Sequence, residues 1–430
     1  MARCDDDGCE TELRANGTMV SGTMRAATWG EEWLYGFFLA AIVLDVGGAF
    51  GLKYASALLV AAYLLLYAGR IWLPVSLLYV ELTLFAAAPA LLLALSVARF
   101  HVPVGAAVGG LLFLSTWIVF PLLLRLPREK IVSFFTTSMY WGAILTLAAF
   151  VVILGMYLAG RLDLVARVNE LAYQYNLGYF GQRPGTGGVT LFVPNVYFRW
   201  TMLLIPAIAC LAAQPRRLSV VLAAVVATLS TAAIAFALAG LVLGLLVDPR
   251  TPVSRFGRVA AVLLVVAVSG VALAIASGLG PLLLTLVEKF TSSSDSTSIK
   301  LGHIQSIMEL VSGDAWLLLF GTGVGSSFYT VGFDEVVSNV EVSHFNMLRQ
   351  FGVVYTLAFF AYVAWVTLTL FRTDVDGRRL SVGIAMLFVA AGTNPLLLTP
   401  VFFLALVMGR AYVVRFRRET AASRLAPSAT

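Results

Sequence analysis

Long runs of apolar residues, separated by short polar segments, dominate the chain from residue 33 onwards. A helix that crosses the hydrocarbon core of a bilayer needs about 20 apolar residues. The runs predict spans at 33–52, 54–73, 75–98, 103–124, 134–159, 196–213, 218–247, 259–284, 345–371 and 380–413. The pattern therefore predicts an all-α polytopic membrane protein with about 10–12 transmembrane helices.

Two of these runs, 218–247 and 380–413, are too long for one crossing. At 1.5 Å per residue each would extend about 45–50 Å, whereas the hydrocarbon core is about 30 Å thick. The first contains Leu-Ser-Thr-Ala near its middle, and Gly-Thr-Asn-Pro-Leu-Leu-Leu-Thr-Pro interrupts the second. We therefore expect each run to form two short or half-membrane helices, with irregular backbone that lines a cavity or is buried in protein.

The distribution of basic residues predicts the orientation of the spans. When the N-terminus is placed inside, most of the 29 Lys and Arg residues fall in internal segments. Two large loops, 160–195 and 285–344, are then external, and both termini are cytoplasmic. Residues 1–30 lack the apolar stretch of a signal peptide and are expected to form a disordered tail. The transmembrane domain is expected at 31–413, followed by a basic cytoplasmic tail at 414–430.

Composition supports the same class of protein. The chain is 60% hydrophobic and 12% charged, and that charged fraction is about half of the value usual for a soluble domain. In such a protein the net charge of +6 reports orientation rather than binding to nucleic acid. Of the three cysteines, Cys4, Cys9 and Cys210, the first two lie close together without a nearby histidine. They make a poor metal site, so we interpret these two as free thiols. Neither a metal nor a cofactor is expected.

The first large loop begins with a helical pattern and continues with two notable arginines. Apolar residues at 164, 165, 168, 171, 172 and 175 predict a short amphipathic helix on the membrane surface. Arg183 lies in a glycine-rich stretch that could bind a phosphate, although an ordinary surface arginine fits the same pattern. Arg199, one turn into a predicted span, must snorkel, pair with an acid or face an anion-binding cavity.

The segment Asn-Val-Glu-Val-Ser-His-Phe-Asn-Met-Leu-Arg-Gln-Phe-Gly, residues 339–352, concentrates the candidate chemistry. On a helix, Glu341, His344 and Arg349 would share one face. Glu341 could orient the imidazole, a neutral histidine can act as a general base toward a hydroxyl group, and Arg349 could hold an anionic leaving group. Alternatively, His344 is a structural residue at a helix start that Ser343 caps.

A glycine-rich stretch, Leu-Phe-Gly-Thr-Gly-Val-Gly-Ser-Ser-Phe-Tyr at 319–329, precedes that segment. It lacks the Gly-Lys-Ser/Thr ending of a nucleotide-binding phosphate loop. We therefore expect Gly321, Gly323 and Gly325 to form a tight turn against the membrane.

The order of these segments resembles the O-antigen polymerase and O-antigen ligase superfamily over residues 180–400. The likeness rests on Thr-Leu-Phe-Val-Pro-Asn-Val-Tyr, Ser-Ser-Ser-Asp-Ser-Thr-Ser-Ile-Lys-Leu, the glycine-rich stretch, Ser-His-Phe-Asn and Gly-Thr-Asn-Pro. In that family a histidine opens a span just after the second large external loop. The resemblance implies a GT-C-like glycosyltransferase of the bacterial plasma (inner) membrane that needs no nucleotide and no metal.

The resemblance also implies substrates and roles. Such enzymes transfer a glycan from undecaprenyl diphosphate to an acceptor hydroxyl at the external face. It implies a catalytic role for His344, which Glu341 orients. It further implies that the diphosphate or the rest of the substrate is bound by Arg183, Arg199, Lys300, Arg349 and Asn346. Lys300 stands where the family often has an arginine.

Three functions follow as alternatives. Likeness to exopolysaccharide polymerases favours a polymerase over a ligase, and a chain-length regulator protein is then an expected partner beside the bilayer and the lipid-linked glycan. A lipid-linked oligosaccharide flippase or transporter is the alternative from another class, because broken helices such as 380–413 occur at transporter binding sites. Against it, no inverted repeat relates the two halves, and Glu81 and Asp45 are the main intramembrane acids, each near the end of a span.

Overall fold

A computed structural model of the protein describes residues 29–45, 48–67, 75–184, 190–248, 257 and 294–425, of which 75% are helical. Four helices within these residues are long and apolar enough to cross a membrane: Tyr79–Ala98, Val104–Leu123, Arg128–Leu158 and Ser343–Phe371. This architecture is compatible with the predicted all-α membrane protein. The predicted span 259–284 lies outside the described residues.

The first half of the described chain is a series of helices with one hairpin. Its elements are α1 (Trp29–Leu44), α2 (Leu52–Tyr67), α3 (Val75–Leu82), a π-helical turn (Thr83–Ala87), α4 (Ala88–Ala98), α5 (Val104–Gly109), a 3₁₀ helix (Leu112–Val119), α6 (Phe120–Leu123), α7 (Arg128–Leu158), α8 (Leu162–Gln174), β1 (Gly178–Pro184) and β2 (Thr190–Phe198). The span predicted at 33–52 was too long. The carboxylate of Asp45 accepts hydrogen bonds from the backbone N–H groups of Phe50 (3.0 Å) and Leu52 (2.7 Å). This side chain therefore starts α2 after a turn.

The second half is helical apart from a small hairpin. Its elements are a 3₁₀ turn (Thr201–Leu203), α9 (Leu204–Leu211), α10 (Pro215–Ala227), α11 (Thr231–Leu246), α12 (Ser294–Ser312), α13 (Ala315–Phe320), β3 (Phe328–Thr330), β4 (Glu335–Val337), α14 (Ser343–Phe371), α15 (Val375–Ala390) and α16 (Pro400–Leu425). Both breaks predicted in the long runs are present. The first falls between α10 and α11, where Leu229 has a φ of 49° and the Ser230 hydroxyl caps α11. The second occupies the residues between α15 and α16.

The first large loop folds as a helix followed by a hairpin. The predicted amphipathic helix is confirmed as α8, which buries Val165 and Ala172. β1 and β2 then pair antiparallel, with Tyr179 opposite Tyr197. The span predicted from residue 196 was wrong, because the aromatic and branched residues of β2 continue the strand to Phe198, and the following helix reaches only Leu211.

A group of ion pairs marks one end of the molecule, and helix length then locates the other. Arg128, at the start of α7, lies 3.1 Å from Asp374, which precedes α15, and 3.1 Å from Glu419 near the end of α16. We call this the charged end. Because α7 has 31 residues and is about 46 Å long, the hairpin β1–β2 lies at the opposite end. The start of α14 lies there as well, since α14 finishes beside Asp374. We call this the loop end.

α16 is the central helix of the described structure. Its residues are buried almost without exception from Val401 to Val414. Phe403 stacks on Phe359 of α14 with ring centroids 5.7 Å apart and contacts Phe113 at 4.6 Å. A helix that is apolar on all sides must be enclosed by others, and α16 therefore fixes the position of α14 and α15 around it.

Candidate functional site

The glycine-rich stretch forms a tight turn at the loop end. Gly321, Gly323 and Gly325 have φ values of 77°, 97° and 75°, a region that only glycine adopts without strain. The turn that we predicted from these glycines is therefore present, and we call residues 321–326 the glycine turn. It is held from two sides, because Thr322 N–H donates to the Arg349 carbonyl (2.6 Å) and Val324 N–H to the Ser96 hydroxyl (2.8 Å).

A second glycine bends α14 where it meets that turn. Gly352 has φ 75° and ψ 171° inside the helix, so residues 343–351 form a separate N-terminal segment that is tilted from the rest of α14. A Cβ atom at Gly352 would overlap the carbonyl oxygen of Leu319. The close backbone approach at Gly352 therefore fixes how the N-terminal segment meets α13 and the glycine turn.

Arg349 lies at the centre of this arrangement and is fully buried. Its Nη1 donates to the carbonyl and hydroxyl of Ser326 (3.0 and 2.9 Å), its Nη2 to the Ser338 carbonyl (2.9 Å), and its Nε to Asn346 Oδ1 (3.1 Å). The guanidinium also stacks over Phe328, 4.3 Å from the ring centroid. All of these partners are neutral, so the site carries a buried positive charge that no acid in the described residues balances.

This geometry changes the role expected for Arg349 and Asn346. Asn346 Oδ1 accepts from both Nε and Nη2 of Arg349, and its amide nitrogen donates to Asn339 Oδ1 (2.7 Å). Both side chains are buried and use their polar atoms on the protein itself. In this structure they join the N-terminal segment to the glycine turn and to Ser338, and a direct contact with substrate would require that assembly to open.

Glu341 lies away from the imidazole that it was expected to orient. It precedes the first residue of α14, Ser343, so it does not share a helix face with His344. Its half-exposed carboxylate lies 3.6 Å from Lys300 Nζ of α12. The structure therefore brings Glu341 and Lys300 together as an ion pair, and an orienting contact between Glu341 and His344 is not formed.

His344 is half-buried and packs against two aromatic rings. Its ring centroid lies 4.7 Å from that of Phe388 and 5.4 Å from that of Phe360, both edge to face. Nε2 is buried and has no hydrogen-bond partner in the described part of the chain. Buried polar atoms without a partner are uncommon in folded proteins, and a catalytic role is one explanation for them.

Ser343 fixes His344 to the break between α15 and α16. Its hydroxyl donates to the Asn394 carbonyl (2.6 Å) and accepts from Leu396 N–H (2.7 Å), while its own N–H donates to the Ala391 carbonyl (3.1 Å). Ser343 is therefore not the helix cap that the alternative reading required. We call the contact between residues 343–351 and residues 391–399 the junction. Both segments of the junction were recognised in the sequence, but no sequence signal indicated that they contact each other.

The remaining predicted cations belong to the first loop. Arg199 is exposed in the turn after β2, and not inside a span as predicted. It lies close enough to Lys53 for their charges to interact, and Lys53, which was not predicted from the sequence, also lies near Asp45. Arg183 lies in β1, opposite Leu191. The described structure thus has two groups of candidate residues at the loop end, one on α14 and its neighbours and one beside the β1–β2 hairpin.

The arrangement on α14 combines one half-buried imidazole, one buried cation and one partly exposed lysine. Within the described residues there is no group of three or more His, Cys, Asp or Glu side chains that could hold a metal ion. In searches of family models and of curated proteins, no match to this chain was found.

Proposed function

We propose that the protein is a membrane glycosyltransferase that polymerises undecaprenyl-diphosphate-linked repeat units at the external face of the plasma membrane. The observation that carries the proposal is the imidazole of His344, whose Nε2 is buried without a partner at the junction. The order of sequence motifs that resemble O-antigen polymerases supports it, as does the position of the junction at the loop end. On this proposal the loop end faces outward and the span count is about 10–12.

In the proposed reaction, an acceptor hydroxyl attacks the anomeric carbon of the donor glycan. The bond between that carbon and the diphosphate oxygen breaks, and the lipid-linked diphosphate leaves with the electron pair. His344, in its neutral form, takes the proton of the hydroxyl as general base. Because Nε2 is buried, the proposal includes a movement at the junction that exposes it to the acceptor.

Cations stabilise the negative charge that develops on the leaving diphosphate. Lys300 is the best placed of the α14 group, because its side chain is partly exposed and its partner Glu341 is at the long distance of 3.6 Å. Arg349 contributes a buried positive charge behind the glycine turn without touching the substrate. Arg183 and Arg199 would act from the first loop, with Lys53 beside Arg199.

The experiment is the size distribution of lipid-linked and surface glycan in cells that lack the protein. The cells are complemented with the unchanged protein, with His344→Ala, or with His101→Ala as the matched control, since His101 is an exposed histidine outside the junction. We expect single repeats from His344→Ala at normal membrane levels, and long chains from the control. Normal polymer from His344→Ala would overturn the assignment.

The same measurement separates the alternatives. Long chains stranded on the lipid carrier in the deleted strain would identify a ligase. Repeats trapped at the cytoplasmic face would identify a flippase, which one observation favours: Glu81 and Arg410 form a buried ion pair within the helix bundle, and intramembrane charges of this kind often mark transport pathways.

A further inference from the structure

An apolar groove lies on the side of the bundle between α11, α14 and α15. It has a volume of about 650 Å³, within the range of about 300–1,000 Å³ that small-molecule sites occupy. Its walls are aliphatic and aromatic, and include Leu243 and Leu246 of α11, Leu368 and Phe371 of α14, and Met386 of α15. Its polar lining side chains are Thr367, Arg378 and Ser381. Arg378 is the charged one and lies where α15 begins at the charged end.

Arg378 forms no ion pair with an acid of the described residues. Its Nε is buried and has no hydrogen-bond partner among the described residues. The nearby acids are engaged elsewhere: Asp248 lies 2.7 Å from Arg379, Asp376 lies 3.6 Å from Arg379, and Asp374 lies 3.1 Å from Arg128. A guanidinium beside apolar surface gains most from a phosphate oxygen that it can bind with two N–H groups.

Asp248, which follows the groove residue Val247 at the end of α11, is paired with Arg379. Residues 249–287, which come next in the sequence, contain no Asp or Glu. From Arg378 to Met386 the groove extends eight residues of α15, about 12 Å, which accommodates the first half of an acyl chain. A phospholipid matches this arrangement. Its phosphate lies at the bilayer surface, and its apolar acyl chain is directed into the core.

We propose that this groove binds one anionic phospholipid, with its phosphate on Arg378 and an acyl chain between α11, α14 and α15. The site lies at the charged end, opposite the junction, and is therefore distinct from the site of the proposed reaction. Arg378 supplies selectivity for the headgroup, and the aliphatic walls supply affinity for the chain.

The test uses the full-length protein in nanodiscs of phosphatidylcholine that contain a small fraction of a lipid with a photoactivatable acyl chain. The probe lipid is phosphatidylglycerol in one arm and phosphatidylcholine in the other, and crosslinks are mapped by mass spectrometry. We expect about five-fold more labelling of the groove-lining peptides by phosphatidylglycerol, the size of effect that one basic residue near a membrane surface gives.

Two variants with matched controls decide the outcome. Arg378→Gln is expected to reduce phosphatidylglycerol labelling to the phosphatidylcholine level. Ala385→Phe, which fills the groove, is expected to reduce labelling by both lipids. The controls are Arg417→Gln, which removes an exposed cation at the same end, and Ala62→Phe, which enlarges an exposed alanine of α2. Neither control is expected to change the labelling by either lipid. Equal labelling by the two lipids, or crosslinking of the groove to residues 249–293 with no lipid labelling, would overturn the proposal.

Discussion

At the scale of single residues, Arg349 shows how a buried cation can organise a site. Removing it would leave the Ser326 carbonyl and Asn346 Oδ1 buried without their donor. Each unsatisfied group costs about 1–3 kcal/mol. We therefore expect Arg349→Met to lower the free energy of unfolding by about 3–5 kcal/mol, measured by denaturant titration in detergent micelles.

The control for that prediction is Arg417→Met, which removes an exposed cation from α16 and is expected to leave stability unchanged. If Arg349 instead serves the substrate directly, Arg349→Met will keep its stability and lose only glycan synthesis. That result would contradict the structural role given to Arg349 here.

The buried imidazole of His303 makes the stability of the loop around α12 depend on pH. It is fully buried in α12, with Nδ1 2.7 Å from the Thr330 hydroxyl and Nε2 without a partner in the described residues. Burial lowers the pKa of His303 below the usual histidine value, so the folded loop binds fewer protons than the unfolded loop. Its stability is complete at neutral pH and falls as the pH drops through about 6.5.

Hydrogen exchange of α12 and of the β3–β4 hairpin, corrected for the intrinsic effect of pH, measures this dependence. We expect exchange to increase between neutral and mildly acid pH in the unchanged protein and in His101→Gln. His303→Gln should abolish that increase. A profile that His303→Gln leaves as steep as before would assign the dependence to another group.

At the scale of elements, Gly352 holds the most demanding backbone position near the junction. Alanine there would have to adopt a φ of 75°, and its Cβ would overlap the Leu319 carbonyl. We expect Gly352→Ala to separate the N-terminal segment of α14 from α13 and to cost several kcal/mol, about 2–4 by analogy with strained and overpacked sites. Thermal unfolding in detergent micelles measures the loss.

Gly155 of α7 provides the contrast. It has no atom within 4 Å of the position that a Cβ would take, and it lies within a regular helix. Gly155→Ala is therefore expected to be neutral or to stabilise the protein by up to about 1 kcal/mol. If the two substitutions changed stability equally, the close backbone approach at Gly352 would contribute little to stability.

The elements also show which features the sequence could predict. Hydrophobic periodicity identified α8, and length together with Gly, Pro and Ser identified both broken runs, because these signals are local. The hairpin β1–β2 was missed, because its apolar second strand has the composition of a span and its pairing depends on residues in β1. The kink at Gly352 was missed as well, since its cause is the backbone of α13 some 30 residues earlier.

The candidate site was predicted in part for the same reason. The sequence singled out His344, Glu341, Asn346 and Arg349 by residue type and spacing. It could not give their partners, since Arg349 binds Ser326 and His344 packs on Phe388 across loops and a further helix. Contacts between distant segments decided that Glu341 pairs with Lys300.

At the scale of the whole molecule, one buried ion pair connects the first and last parts of the bundle. Arg410 Nε of α16 donates to Glu81 Oε1 of α3 (2.6 Å), and the Tyr362 hydroxyl of α14 donates to the same oxygen (3.1 Å). Both charged side chains are almost fully buried. A π-helical turn, a feature often found at functional sites, begins two residues after Glu81, at Thr83.

Removing one charge of this pair leaves the other unpaired. Glu81→Leu and Arg410→Met are each expected to lower the free energy of unfolding by about 3–5 kcal/mol, whereas the double variant should recover most of that loss because it leaves no charge to desolvate. Denaturant titration of the four proteins gives the coupling energy. The exposed pair Arg161 and Asp163 serves as the control, and its removal should have no measurable effect.

The stable double variant then decides what the pair is for. If Glu81 and Arg410 only hold the bundle together, cells that carry the double variant will make glycan of normal length, because the junction around His344 remains intact at the loop end. If the pair lies on a transport pathway, the same protein will fold and reach the membrane, yet lipid-linked repeats will accumulate at the cytoplasmic face. A coupling energy near zero in the double-mutant cycle would contradict the ion pair between Glu81 and Arg410. Normal folding with abolished export would instead favour the flippase over the polymerase, whatever His344→Ala does to chain length.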